Sequence, residues 1–116
     1  MNIFEIYLKK IQDLIIKHSS DLEINSEINF SGTTVESPPQ EFNFDLSSNI
    51  ALVLAKKIKQ SPIKLADSLK KVILEHLDDF SEISIAGPGF INFKFTPKKY
   101  QEIIIKILKI GEKYVT

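Results

Sequence analysis

Cysteine is absent from the 116 residues, which excludes a disulfide framework and any thiolate metal site. That absence fits a reducing compartment, and a cytoplasmic location is the expectation. Arginine is absent too: the 15 basic residues are all lysine, balanced by 15 acidic ones. The chain therefore has no planar fork for a bidentate grip on phosphate or guanine. Nor has it a net charge to draw in a polyanion. Both absences argue against a strong free-standing RNA binder, and neither excludes a small base-specific contact that borrows affinity from a neighbouring domain. Long apolar runs are missing as well. Ile103-Ile104-Ile105 is the densest patch, bounded by Glu102 and Lys106, far short of the roughly 20 residues a membrane helix needs. The N-terminal apolar residues are broken up by Glu5, Lys9, Lys10 and Asp13 and do not make a signal peptide.

What is present is the material of one domain. Hydrophobic content of 43% is ordinary for a globular chain. Ile3, Phe4, Tyr7, Leu8, Ile11, Leu14 and Ile15 recur at helical steps and predict a helix over 3–17, with Asn2 and Glu5 as a capping box. Thr33 to Ser37 reads as a short strand ended by Pro38-Pro39, and 38–45 as a loop. Helices are predicted over 47–59 and from Ser61-Pro62 onward, the latter inward at Leu65, Ala66, Leu69, Val72, Ile73 and Leu77. Asp45, Ser47 and Asn49 read as caps of the former. Two strands follow, 82–86 and 90–95, joined by Gly87-Pro88-Gly89. Thr96-Pro97 opens a last helix, inward at Tyr100, Ile103, Ile104, Ile107 and Leu108, with Gly111 as its stop. Leu22, Ile24, Ile28 and Phe30 alternate and make 22–30 a further strand candidate. The order predicts an α+β fold: a small antiparallel sheet of 3–4 strands with about four helices packed on one face.

Catalytic patterns are not found. Gly87-Pro88-Gly89 is too short for a phosphate loop, and its proline removes an amide such a nest needs. His18 and His76 are far apart and read as solvated helix ends, as does Asp78-Asp79. No nucleophile has a partner in a recognisable setting, and no metal ligands cluster.

The second strand of the hairpin is the informative segment. Ile91, Phe93 and Phe95 point to one face, which reads as core. Phe90, Asn92 and Lys94 point to the other, with Asn92 and Lys94 expected in solvent. A ring can stack on an unpaired base, an amide can read a base edge, and an ammonium can meet a phosphate. Lys98 and Lys99 border the same face and extend its positive charge. The plainer reading is a hairpin whose outer face happens to be mixed, with the lysines on helix exteriors.

Ala86-Gly-Pro-Gly-Phe-Ile-Asn92 resembles the signature of the N-terminal additional domain of arginyl-tRNA synthetases. A second block, Thr34-Val-Glu-Ser-Pro-Pro-Gln-Glu-Phe42 with Asp45-Leu-Ser-Ser-Asn49 and Val53-Leu-Ala-Lys-Lys-Ile58, is similar to that family's strand, Asp-Tyr-x-x-Asn turn and helix. It departs at Asn43, where the family has glycine, at the extra Phe44, and at Leu46, where the family has tyrosine. The resemblance implies that residues 1–116 form a single tRNA-contacting domain and the N-terminal part of a longer class I enzyme. Phe90 and Asn92 then hold an unpaired D-loop base at the outer corner of arginine tRNA. ATP and magnesium belong to the catalytic part of that enzyme, the domain's partner in cis, and no cofactor is expected in this chain. The rival functions are a protein-docking module and a structural spacer.

Overall fold

The computed structural model describes residues 2–39 and 43–115, with side chains described as far as Ile107. Among the described residues the elements run α1 (Ile3–Lys17), β1 (Val35–Glu36), β2 (Leu46–Ser48), α2 (Ile50–Ile58), α3 (Pro62–His76), β3 (Phe80–Ala86), β4 (Phe90–Phe95) and α4 (Pro97–Val115). The strands form one antiparallel sheet in the order β1-β2-β4-β3. Helices lie over one face of it: α1 against β1, and α2 and α3 against β4. The fold is the small α+β domain that the patterning predicts.

Local chemistry explains the helix starts. Asn2 Oδ1 accepts from the Phe4 and Glu5 amides at 3.0 and 3.3 Å and caps α1. Ser61 Oγ does the same for Lys64 ahead of Pro62, and Thr96 Oγ1 for Lys99 ahead of Pro97. Helix α2 stops where Lys59 turns left-handed at φ 56°.

The core is built from both sides of the helix–sheet interface. Ile11, Ile50, Leu54, Leu69, Ile91 and Phe93 are fully buried. Each contributes about 1.5–3 kcal/mol through removal of its side chain from water. At one end an aromatic knot closes the core. Phe80 packs on Phe93 with ring centroids 4.8 Å apart, and Tyr7 packs on Phe95 at 5.2 Å.

Several expectations are corrected. The segment 22–30 is a run of turns instead of a strand, although Leu22 and Ile24 are buried. Its apolar residues reach the core without a ladder partner. The fourth strand is instead Leu46–Ser48, whose last two residues the pattern assigns to a helix. Only Ile103 of the predicted inner face of α4 is buried; Tyr100, Ile104 and Ile107 stand 39–49% exposed. Past Ile103 the apolar side chains described, Ile104, Ile105 and Ile107, stand in solvent, and the side chain of Leu108 lies outside the described residues. Helix α4 also runs on through Gly111, because an interior glycine costs only about 1 kcal/mol and is a weak stop by itself.

Polar residues differ in part. His76 is exposed at its helix end as expected, but His18 is mostly buried and the two rings are stacked, 4.1 Å between centroids, because α1 and α3 end side by side. Asp79 is no solvated terminus. It accepts from the Tyr7 hydroxyl at 2.5 Å and faces Lys10 and Lys99 at 3.5 and 3.8 Å. Burial and that carboxylate push the Tyr7 phenol well above its ordinary range.

Candidate nucleic-acid interface

The site begins with the block Asp45–Asn49, which stitches the sheet together. Asp45 Oδ2 accepts from the Phe95 amide at 2.9 Å, while the Asp45 amide donates to Phe93 O at 2.8 Å. Ser48 Oγ donates to Thr34 O at 2.7 Å and accepts from the Ile50 amide at 3.1 Å. Asn49 Oδ1 accepts from the Thr34 amide at 2.7 Å, and its Nδ2 donates to Gly32 O at 3.0 Å. Asn49 stands at the N-cap position of α2 without a side-chain capping bond, Ser48 Oγ takes the first helical amide instead, and neither Asp45 nor Ser47 caps the helix. Asn49 instead has fixed structural partners at both atoms of its amide. Leu46, standing in for the family tyrosine, is buried in the core.

These bonds hold β2 beside β4 in the register Leu46↔Phe93, Ser47↔Asn92, Ser48↔Ile91. Alternation then sorts the side chains. Leu46, Ser48, Ile91 and Phe93 go to the core. Ser47 and Asn92 go to the outer face, with Ser84 of β3 paired to Asn92 on its other side. Phe42 of the family motif lies outside the described residues.

The hairpin turn is set by its glycines. Gly87 has φ 55° and Gly89 φ 141°, a backbone that side chains disfavour. A β-carbon on Gly89 would also lie 2.9 Å from Pro62 Cβ. The turn is thus seated on the first residue of α3, and Phe90 leaves it pointing outward.

A cleft of about 450 Å³ opens on this outer face, within the range of small-ligand sites. Its floor is Asn92 and Ser47. Phe90 and Pro88 form one side, Pro38, Pro39 and Glu36 the other. Phe90 is 41% exposed, so its ring is available for stacking. Asn92 was expected in solvent but is only 6% exposed. It sits on the central strand between two serines, beneath the walls that Phe90 and the Pro38-Pro39 segment raise. Ile91 is fully buried, so the expected register holds. Among the described residues no side-chain hydrogen bond engages the Asn92 amide.

The lysines are distributed differently. Lys94 is half-buried on the outer face, two residues beyond Asn92 and about 7 Å along the strand. Its ladder partner is Glu82. Lys98 and Lys99 lie past the far end of β4 from Phe90, in a second cleft with Asp78 and Asp79. Lys99 is paired with Asp79 and, at 3.6 Å, with Glu102. The structure brings Phe90, Asn92 and Lys94 onto one face and leaves Lys98 and Lys99 apart from the cleft. The wall from Glu36 to Pro39 and the floor residue Ser47 were missed as site residues. The proline pair before the motif was the available signal.

Among the described residues, no group of histidine and carboxylate side chains could hold a metal ion. The Gly87–Gly89 turn cradles no phosphate chain, since Pro88 lacks an amide. No helix among the described residues is long and apolar enough to cross a membrane.

The profile of the arginyl tRNA synthetase N terminal domain matches residues 7–95. An arginine–tRNA ligase of Pelagibacter ubique is 43% identical over 95 residues, 82% of this chain and 16% of that protein. An arginine–tRNA ligase of Rickettsia akari is 41% identical over 114 residues, 98% of this chain and 19% of that protein. The chain thus spans about a fifth of the length of these relatives. With the fold, the two sequence blocks and these matches in agreement, the chain belongs to the arginyl-tRNA synthetase N-terminal domain family.

Proposed function

We propose that this chain is the tRNA-recognition domain of a cytoplasmic arginine–tRNA ligase and takes one unpaired D-loop base of arginine tRNA into the outer-face cleft. The observation that carries this reading is the juxtaposition of an exposed ring, Phe90, with a sunken amide, Asn92, across one cleft. An extruded base stacks on the ring, and its edge meets the carboxamide, which offers both a donor and an acceptor. Lys94, on the same face, meets the adjoining backbone phosphate. With zero net charge the domain contributes selectivity more than affinity. Arginine activation by ATP and magnesium belongs to the remainder of the enzyme, which follows in cis. The exposed Tyr100, Ile104 and Ile107 of α4 suit contact with that remainder, since the relatives are five times longer.

The test is charging efficiency of a synthetase carrying this domain, on arginine tRNAs that vary only at the read base. Phe90→Ala should cost roughly 1–3 kcal/mol, the range for a stacked base. Asn92→Ala should cost less and flatten the preference among bases. If both variants keep wild-type efficiency and preference, the cleft is not a base reader. A docking or spacer role then takes its place.

A further inference from the structure

The outer-face cleft carries a negative group where a polyanion is to bind. Among the described residues, Glu36 is the one ionisable side chain lining it. Register places it in a continuous row across the sheet. Glu36 pairs with Ser47, Ser47 with Asn92, and Asn92 with Ser84. All four side chains project to the outer face. Glu36 and Asn92 are two ladders apart, about 10 Å between backbones. One planar base, hydrogen-bonded at both edges, can bridge that gap. A carboxylate only accepts, so it repels phosphate and carbonyl oxygen and rewards N–H.

We infer that Glu36 is a specificity residue of the cleft, accepting an N–H from the exocyclic amine of the bound nucleobase. This rests on the base-reading function proposed above. The cleft then favours bases that carry an exocyclic amine (adenine, cytosine, guanine) over uracil, whose single base-edge N–H is flanked by carbonyl oxygens that the carboxylate repels. The same charge keeps the sugar-phosphate chain off the β1 edge and turns it toward Lys94.

The test compares Glu36→Ala and Glu36→Gln in a synthetase carrying this domain. Charging kcat/KM is measured on four arginine-tRNA transcripts that differ only at the read base. Glu36 is exposed on an edge strand, so both variants should fold, which a thermal melt checks. Glu36→Ala should cut the preference for amine-bearing bases over uracil by about tenfold, the scale of one base-edge contact. Glu36→Gln keeps an acceptor oxygen without charge and should retain the order of preference with a smaller margin. A uniform rise on all four transcripts would mean that Glu36 acts only on phosphate, and the inference falls. No change on any transcript would mean that Glu36 only guards a strand edge, and it falls equally. Phe90→Ala is run alongside. If it too leaves all four rates unchanged, base reading itself is wrong, and not merely the part given to Glu36.

Discussion

Replacing Asp79 by alanine should destabilise the fold more than any single surface change. Asp79 is 13% exposed and takes three donors from two helices: the Tyr7 hydroxyl, Lys10 and Lys99. Tyr7 is 1% exposed, so its hydroxyl has no ready replacement in water. Losing a charged acceptor there costs about 1.5–3 kcal/mol. The two lysines are partly solvated and add at most about 0.5 kcal/mol each. The expected loss is about 2–4 kcal/mol, or roughly 10 °C in midpoint for a domain of this size. Urea denaturation followed by circular dichroism gives the value directly. Tyr7→Phe and the double variant complete the cycle. If Asp79 acts through Tyr7, the double variant should lose clearly less than the two singles added together. A loss below about 0.5 kcal/mol for Asp79→Ala would show that the contact holds nothing. Strict additivity would show that the two groups are not coupled.

Three further outcomes are expected. The Tyr7 phenol is held above its ordinary value of 10.0 in the folded state, so above that pH the unfolded chain releases a proton that the native chain keeps. Stability is therefore full below about pH 10 and falls above it, by up to about 1.4 kcal/mol per unit from this group; Tyr7→Phe should remove that share in urea melts run at pH 9–11. Gly89→Ala should cost about 1–3 kcal/mol, from its positive φ and the 2.9 Å approach to Pro62, and an unchanged melting temperature would contradict the seating of the turn on α3. Asn49→Ala should cost about 2 kcal/mol by freeing the Thr34 amide and the Gly32 carbonyl; hydrogen exchange at Thr34 should rise, and protection equal to wild type would show that the amide has another partner.

The sequence carried the helices and the hairpin because their signals are local. Caps, prolines and periodic apolar residues all lie within a few positions of what they control. It failed where a partner distant in the chain decides. Leu46–Ser48 is too short to show alternation, and its ladders to β1 and β4 make it a strand. Phe80 was left out of β3 because it and Ile83 are both buried although their spacing breaks the two-residue period. A register shift between Phe80 and Glu82 restores the parity. The His18–His76 stack needs two helix ends brought together, which no pattern announces. The α4 stripe looked like a core face because periodicity shows that a face is apolar but not what covers it. At the site, strand alternation gave the faces of Phe90 and Asn92 correctly. The depth of Asn92 and the opposing Pro38-Pro39 wall depend on the neighbouring strands and could not be read from one of them.

The strand order β1-β2-β4-β3 has a thermodynamic consequence. Ser47 and Asn92 are separated in the chain by α2, α3 and β3, so the cleft is assembled from distant segments and belongs to the folded state. Anything that binds it is bound by N and not by U. Occupancy then raises unfolding free energy by RT ln(1 + [L]/Kd), about 2.7 kcal/mol at a hundredfold excess over Kd. That gain should be felt equally at the Tyr7–Asp79 end of the molecule, where no ligand atom comes near.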